Sequence, residues 1–172
     1  MGRTFRTYVE SRGKFAAGET GSISTGLAIA NTAATPTTVT VDLINADGSP
    51  SGIRGTLRIP ASGQTSTFVD QIPGFERMES PFSGTVLITS ENPVSVTGLR
   101  GRYNEASNFL VTTLPVIPDG PAGNAERVFP HLADGEGYST QFILINSGSN
   151  PAAGAINFFN RQGQPLPIRM LN

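Results

Sequence analysis

Few side chains of this 172-residue sequence combine a type and a spacing that could do chemistry. His131 is its single histidine, in the segment Phe129-Pro130-His131-Leu132. A catalytic triad needs a nucleophile and a carboxylate beside the histidine, and a metal site needs further ligands. The sequence nominates neither, and the matching position in an earlier, similar segment is Thr7. We therefore expect a surface or packing role for His131, no catalytic residue and no enzyme activity.

Carboxylates offer two weak cation motifs. Asp134-Gly135-Glu136-Gly137 is an acidic, glycine-rich turn whose oxygens could bind Ca²⁺, although we favour a solvated loop for Asp134–Glu136. Asn45-Ala46-Asp47-Gly48 resembles the start of a calcium loop but lacks its later ligands and its terminal glutamate, so we predict a turn. The chain has no cysteine, which excludes disulfides and thiolate metal sites. We expect no metal and no cofactor.

The segment Leu99-Arg100-Gly101-Arg102-Tyr103 is the best candidate for an interaction surface. On a strand, Arg100 and Arg102 project from one face and Tyr103 from the other. Two guanidiniums could bind an acidic glycan or a partner carboxylate. Pairing with acids on a neighbouring strand is the alternative, and we favour it. With no tryptophan and three tyrosines, the chain is poorly supplied for stacking on sugars.

Composition excludes two further classes of function. Net charge is −1 and the basic residues form no run, so we expect no nucleic-acid binding. No stretch approaches the ~20 apolar residues of a membrane span, so we expect no membrane insertion. The first six residues have no apolar core of the signal-peptide kind. If the protein is exported, we expect this chain to be a piece of a longer or processed one.

An internal repeat is the most informative feature of the sequence. Residues 24–31 match residues 139–146, and the offset of 115 holds without a gap as far as Pro50 and Pro165. Seven of these 27 positions are identical, among them Asn31 and Asn146. Upstream, residues 5–8 resemble residues 129–132. The pattern indicates duplication.

Short segments rich in Val, Ile, Thr and aromatic residues, bounded by Gly, Pro, Asn or Asp, predict strands. The spacing of ~115 residues suits one immunoglobulin-like sandwich. We therefore expect an all-β protein: a complete antiparallel sandwich over 1–117, a Pro/Gly linker over 118–126, and the first strands of a second copy over 127–172. The strands predicted for the first copy lie near 4–9, 22–31, 37–45, 54–60, 64–70, 82–90, 94–103 and 108–115.

A partial copy has a physical consequence, because its strands lack a facing sheet. One apolar face stays uncovered, formed by Phe142, Leu144, Ile156 and Phe158 or their alternates, beside a free strand edge. About 45 residues rarely fold alone. Either the sequence is truncated, or strands supplied in cis or in trans complete the copy. Completion between identical chains would build a filament.

Four segments carry a resemblance to a known kind of module. Residues 5–10, 26–31, 98–105 and 129–135 resemble an uncharacterised repeat that occurs in tandem near the C-terminal ends of large secreted or surface proteins of environmental bacteria. The resemblance implies an extracellular or cell-surface location, tandem arrangement and a spacer, adhesive or assembly role. It brings no catalytic residues. We expect a structural module whose partners are other copies or neighbouring repeats. The alternative is a module that binds a glycan or protein.

Overall fold

A computed structural model of the chain describes residues 1–120, 126–133, 135–136, 138, 140–148 and 150–167. The chain divides into two compact units, Met1–Gly120 and Pro121–Asn172, called unit 1 and unit 2 below. The division falls inside the segment predicted to be a linker. That the two units are copies of one module stays a prediction at this point.

Unit 1 is built from strands, as predicted for an all-β protein, and every pairing between them is antiparallel. Two three-residue 3-10 turns, Phe15–Ala17 and Val69–Gln71, interrupt them. The described parts of the chain contain no helix long and apolar enough to span a membrane. The strands are β1 (Gly2–Arg12), β2 (Ile23–Asn31), β3 (Thr37–Asn45), β4 (Pro50–Ile59), β5 (Gln64–Phe68), β6 (Phe82–Tyr103), β7 (Phe109–Leu114) and β8 (Val116–Pro118).

Strand β6 connects the whole sheet. Its first part, 82–90, pairs with β1 and β3, and its second part, 94–103, pairs with β2 and β7. The strand order is β4-β3-β6-β1-β2-β5, with β7 on β6 and β8 on β1. Strands β2 and β3 do not pair with each other, and β6 is the strand that pairs with both; β2 also pairs with β1 and β5, and β3 with β4.

The prediction of two strands, 82–90 and 94–103, was wrong in one respect, because they form one continuous strand of 22 residues. Pro93 lies between the last pair with β3, at Ser90, and the first pair with β2, at Val94. Proline lacks the N–H that a ladder needs. It is tolerated here because the strand changes partners at this point. Strand β8, which is only three residues long, was not predicted.

The curled sheet encloses one apolar core. Along β3 the side chains of Val39, Val41 and Leu43 are buried, and Thr40 and Asp42 between them are half-buried, as the alternation predicts. Phe5 and Val9 enter the core from β1, and β2 and β6 supply much of the rest. The remaining core residues are Leu27, Ile29, Ile59, Val69, Ile72, Phe75, Val86, Ile88 and Val94.

The segment between β5 and β6 closes one side of the core. Its residues Val69, Ile72 and Phe75 are fully buried. Pro73 to Glu79, where the sequence hinted at a helical turn, forms hydrogen-bonded turns instead. The segment approaches β4 at Gly55, where a β-carbon would lie 2.5 Å from Ile72 Cγ2 and 2.9 Å from Phe75 Cδ2. Only glycine leaves room for this contact.

The beginning and the end of unit 1 lie side by side. Strand β8 pairs with β1 in the register Phe5 to Pro118. Beyond it the backbone N–H of Asp119 donates to Thr4 O at 2.9 Å, and Arg6 Nε donates to the Asp119 carboxylate at 2.7 Å. The chain therefore enters and leaves unit 1 at the same place.

Unit 2 has less regular structure than its sequence predicts. Over its described residues there are two isolated bridges, Gly135 with Tyr138 and Phe159 with Pro165, and no strand. The strands expected in 127–172 are therefore not seen in the described part. The topology of unit 1 supplies a reason, because segments of the β2 and β3 type pair with a β6 strand and not with each other.

Replacing Gly55 by alanine is expected to destabilise unit 1 by about 1–3 kcal/mol, the usual cost of overpacking. The added methyl group would force Ile72 and Phe75 out of the core. Urea unfolding followed by the amide NMR signals of unit 1 measures the change. The control is Gly120→Ala, where a β-carbon meets nothing within 4 Å and the expected effect is within about 0.5 kcal/mol. Equal stability of the two variants would contradict the close contact.

Candidate interaction surfaces

The two arginines singled out in the sequence each pair with an acid. Arg100 on β6 donates to the carboxylate of Glu10 on β1, and Arg102 donates to Glu105 three residues further on. Arg102 Nε is buried without a hydrogen-bond partner among the described residues. Each guanidinium is thus engaged within unit 1, so neither stands ready as an unpaired cation for a ligand. The proposed interaction role of Arg100, Arg102 and Tyr103 stays a prediction.

Tyr103 belongs to a cluster of four rings that we call the aromatic face: Phe15, Phe68, Tyr103 and Phe109. The Phe15 ring packs against Phe68 at 4.7 Å, against Tyr103 at 5.4 Å and against Phe109 at 6.1 Å between centroids. Tyr103 and Phe109 lie 5.5 Å apart. The rings meet edge-on or tilted, the favoured geometry for aromatic pairs. Much of the surface of these rings therefore contacts other rings of the cluster.

Glycines on the outer side of the sheet make room for these rings. A β-carbon at Gly101 would lie 2.6 Å from Phe15 Cζ and 3.1 Å from Phe109 Cε2. At Gly26 it would lie 3.3 Å from Phe68 Cδ1. Phe15, Phe68 and Phe109 were not predicted as members of an interaction surface. The available signal was Gly101 between Leu99 and Tyr103 on one face of a strand, a gap that a ring from elsewhere can fill.

Strand β7 continues the aromatic face to the edge of the sheet. It pairs with β6 on one side, and no other described strand pairs with it. Three successive apolar side chains on it, Phe109, Leu110 and Val111, are 49%, 49% and 59% exposed. An apolar edge strand of this kind can accept another strand.

Of the two candidate cation motifs, the structure describes all of 45–48 but only part of 134–137. Asp47 Oδ1 accepts hydrogen bonds from the Ser49 hydroxyl at 2.7 Å and the Ser49 N–H at 2.9 Å, so it closes a turn as predicted. Asp134 lies outside the described residues. Among those described, no three His, Cys, Asp or Glu side chains gather into a potential metal site. His131 is exposed.

Hydrogen bonds around two asparagines recur in both units at the offset of 115. Asn31 Nδ2 donates to Thr35 O, and Asn146 Nδ2 donates to Asn150 O, each at 2.8 Å. The Oδ1 atom of each asparagine accepts from the amide two residues further on, at 3.0 and 2.9 Å. The same side chain thus organises the same turn after the β2 segment and after its counterpart.

A second pair of turns recurs in the same way. The Asn45 N–H donates to the residue four positions on and its carbonyl accepts from Gly48, both at 2.9 Å. Asn160 makes the equivalent bonds at 2.9 and 3.0 Å, the second from Gly163. Both glycines have positive φ, 85° and 75°, which non-glycine residues rarely adopt. The hairpin turn after β3 therefore has a counterpart in unit 2.

A threonine joins two segments in both units. Thr25 Oγ1 accepts from the Glu10 N–H at 2.9 Å and donates to the Glu10 carbonyl at 3.2 Å. Thr140 makes the same two bonds with Ala133, at 3.1 and 2.9 Å. These bonds match Ala133 to Glu10, one position away from the upstream alignment, in which Phe129 matches Phe5. The two units are therefore matched in structure by these threonine hydrogen bonds, and not by the alignment of Phe5 with Phe129.

Side-chain burial separates the two units at these matched positions. Four core residues of unit 1 are buried: Leu27, Ile29, Val41 and Leu43. The unit 2 residues that lie 115 positions later are half-buried or exposed. Leu144 is 79% exposed and Ile156 38%. Full burial of such a side chain is worth about 1.5–3 kcal/mol. We call Phe142, Leu144, Ile156 and Phe158 the unpaired strip; they match Leu27, Ile29, Val41 and Leu43.

The unpaired strip retains a remnant of a core. The rings of Phe129 and Phe142 lie 5.3 Å apart, and those of Phe142 and Phe158 lie 6.0 Å apart, both edge-on. In unit 1 the matched positions of the last two, Leu27 and Leu43, are core residues. Three rings thus bring together segments of unit 2 whose described residues include no strand like the one that lies between their counterparts in unit 1.

Replacing Phe15 by alanine is expected to destabilise unit 1 by about 1–3 kcal/mol, less than the ~3–5 kcal/mol of a fully buried ring. The Phe15 ring is the only one that contacts the other three members of the aromatic face. Urea unfolding followed by unit 1 amide signals measures the loss. Phe159→Ala, at a site 60% exposed, is the control and should leave unit 1 unchanged. A Phe15→Ala protein as stable as this control would show that the cluster contributes nothing.

The turn at Asp47 predicts a pH dependence. The Ser49 hydroxyl first, and then the Ser49 N–H, hold the pKa of Asp47 below its ordinary value. Because the folded pKa is lowered, the turn is stabilised above the unfolded pKa, and that stabilisation is lost as pH falls through the folded pKa. Carbon-13 NMR titration should show Ser49→Ala raising the pKa of Asp47, and Ser66→Ala leaving it unchanged. An unchanged pKa in both variants would contradict the assigned cause.

Comparison with known proteins bears on the fold alone. No family model and no curated protein matches the sequence. In the crystal structure of Thermotoga maritima 1070, 93% of that chain aligns with 66% of this one at 13% identity and a TM-score of 0.50. The Anabaena sensory rhodopsin transducer aligns over 94% of its length and 56% of this chain, at 18% identity and a TM-score of 0.43. The chain thus resembles the Thermotoga protein in fold, at a low level of identity.

Proposed function

We propose that the protein is a non-catalytic structural and assembly module of an extracellular bacterial surface protein or filament. The observation that carries the proposal is the contrast at matched positions, where Ile29 is 1% exposed and Leu144 is 79% exposed. Because the described residues of unit 2 that match a core are exposed, unit 2 is suited to joining with further strands. Those strands are supplied in cis or in trans.

The finer fold proposal is that unit 1 is an immunoglobulin-like sandwich and that unit 2 is the first part of a second copy. The two parts of β6 pair with different strands, while residues of both strand groups share one core. This is expected if β6 passes from one layer to the other. The three recurring hydrogen-bond patterns, at Thr25, Asn31 and Asn45, support the second copy.

A non-catalytic role accords with how unit 1 uses its charges. Arg6, Arg54, Arg100 and Arg102 each pair with a carboxylate. Charges committed to such pairs contribute to positioning strands more than to chemistry. The extracellular setting rests on the resemblance of the four sequence segments and on a low charged fraction of 15%.

The geometry of unit 1 favours assembly over a stalk that gains length with each module. Its first and last residues lie together, since the Asp119 N–H donates to Thr4 O. A unit entered and left at one place adds little to the end-to-end length of a chain.

Protein binding through the aromatic face is the second candidate, and one observation favours it. Phe109, Leu110 and Val111 are exposed in succession on an edge strand. Exposed apolar patches of this kind mark interaction sites. A ligand from a glycan array or protein screen, lost in both Tyr103→Ala and Phe109→Ala variants, would favour this function. Ordered polymers of the full chain in electron micrographs would favour assembly.

The proposal predicts that unit 2 folds when the rest of a copy is supplied. In a longer chain, Asn172 is followed by a second copy of residues 58–118, which continues the offset of 115. We expect a second cooperative unfolding transition, and protection of the Leu144 and Phe158 amides from hydrogen exchange comparable to that of Ile29 and Leu43. The control is the same longer chain with Val86→Asp and Ile88→Asp made only in the added copy of residues 58–118. Unprotected amides in the longer chain would contradict the proposal.

A further inference from the structure

The unpaired strip has a defined counterpart in unit 1, and what covers that counterpart is visible. Val41 pairs with Ile88 and Leu43 with Val86, both in the first part of β6. Ile29 pairs with Val96 in the second part of the same strand. Val86 and Ile88 are buried in the core, and Val96 packs against it. One strand therefore lies beside both rows of side chains, and its own apolar residues complete the same core.

We propose that the unpaired strip binds a single extended segment with the residue pattern of β6. This inference rests on the proposed function and names the partner that the function requires. At the offset of 115, the register of unit 1 places an Ile88-type residue opposite Ile156 and a Val96-type residue opposite Leu144. The partner has apolar residues at alternate positions and spans about twenty residues, as β6 does.

The β6 strand of another copy does not fit this role unless it leaves its own unit. In unit 1 it is paired with β1 and β3 over 82–90 and with β2 and β7 over 94–103. Both of its edges are thus occupied. The unpaired strip of another copy is a second possible partner. It would bury apolar side chains, but it would not supply the backbone hydrogen bonds that β6 makes with β2 and β3. The partner is therefore a segment of β6 type that is not already paired on both edges within a unit of its own.

Glycine in the partner is part of the fit. Gly98 of β6 is the residue opposite Leu27. The residue of unit 2 that matches Leu27 is Phe142, whose ring is larger. In unit 1 a β-carbon at Gly98 would lie 3.0 Å from Leu114 Cβ and 3.1 Å from Thr7 Oγ1, so this position of β6 is already crowded. We expect a small residue there in the partner as well, since Phe142 adds a larger ring opposite it. The pattern thus combines apolar residues opposite Leu144, Ile156 and Phe158 with a small one opposite Phe142.

Disulfide trapping tests this register, and the absence of natural cysteine keeps the background clean. The probe is a peptide of residues 82–103, added to the full chain under mild oxidation. Residues opposite each other in antiparallel strands have β-carbons ~4.5–5.5 Å apart, close enough for trapping. We expect the Ile156→Cys chain to trap an Ile88→Cys peptide, and the Leu144→Cys chain to trap a Val96→Cys peptide. Each should form at least tenfold faster than with a Thr97→Cys control peptide, whose cysteine faces outward.

Three results would overturn the inference. The first is equal trapping by the matched and control peptides. The second is peptide-induced protection from hydrogen exchange confined to residues 1–120, which would mean strand exchange within unit 1. The third is rapid disulfide formation between two Leu144→Cys chains that the peptide does not suppress, which would mean that a second copy covers the strip. If trapping fails while the longer chain with residues 58–118 folds, the inference fails and the proposed function stands.

Discussion

The pairing of β2 and β3 with one shared strand, β6, is the constraint on which the rest of the structure depends. These two strands carry much of the core, yet they do not pair with each other. Backbone groups of a strand need a ladder partner, because an unpaired N–H or C=O that loses water costs free energy. A β6 strand meets that need for both at once. If unit 2 begins a second copy, as we propose, the difference between the two units is attributed to this strand, which is present in unit 1 and has no described equivalent in unit 2.

This dependence explains why similar sequences differ in structure. The local turns are set by nearby residues, so the bonds of Asn31 and Asn45 recur at Asn146 and Asn160. Strand pairing depends on distant residues: β2 and β3 both pair with β6 in unit 1, and no strand of that kind is described in unit 2. Apolar alternation gives a segment one face to bury, but a partner decides whether that face is buried. The unpaired strip is the result.

Much of unit 1 could be predicted from the sequence, since its strands follow clear alternation and its turns carry glycine. The alternation of Val39, Val41 and Leu43 places them in the core in advance. The change of pairing partners along β6 was harder to predict. Proline usually ends a strand, yet Pro93 lies inside the continuous strand β6. The aromatic face was missed for a related reason. Phe15 reaches Gly101 across 86 positions of sequence, and no local pattern records that contact.

Amide hydrogen exchange of the unaltered full chain tests the role of β6 most directly. The comparison is between the amides of Leu27 to Asn31 and Val39 to Leu43 and their counterparts at 142–146 and 154–158. If β6 holds these segments, the first group exchanges at least a hundredfold more slowly than the second, a difference of about 2.7 kcal/mol in opening free energy. Equal protection of the two groups would show that such segments form strands without it, and would contradict the central claim.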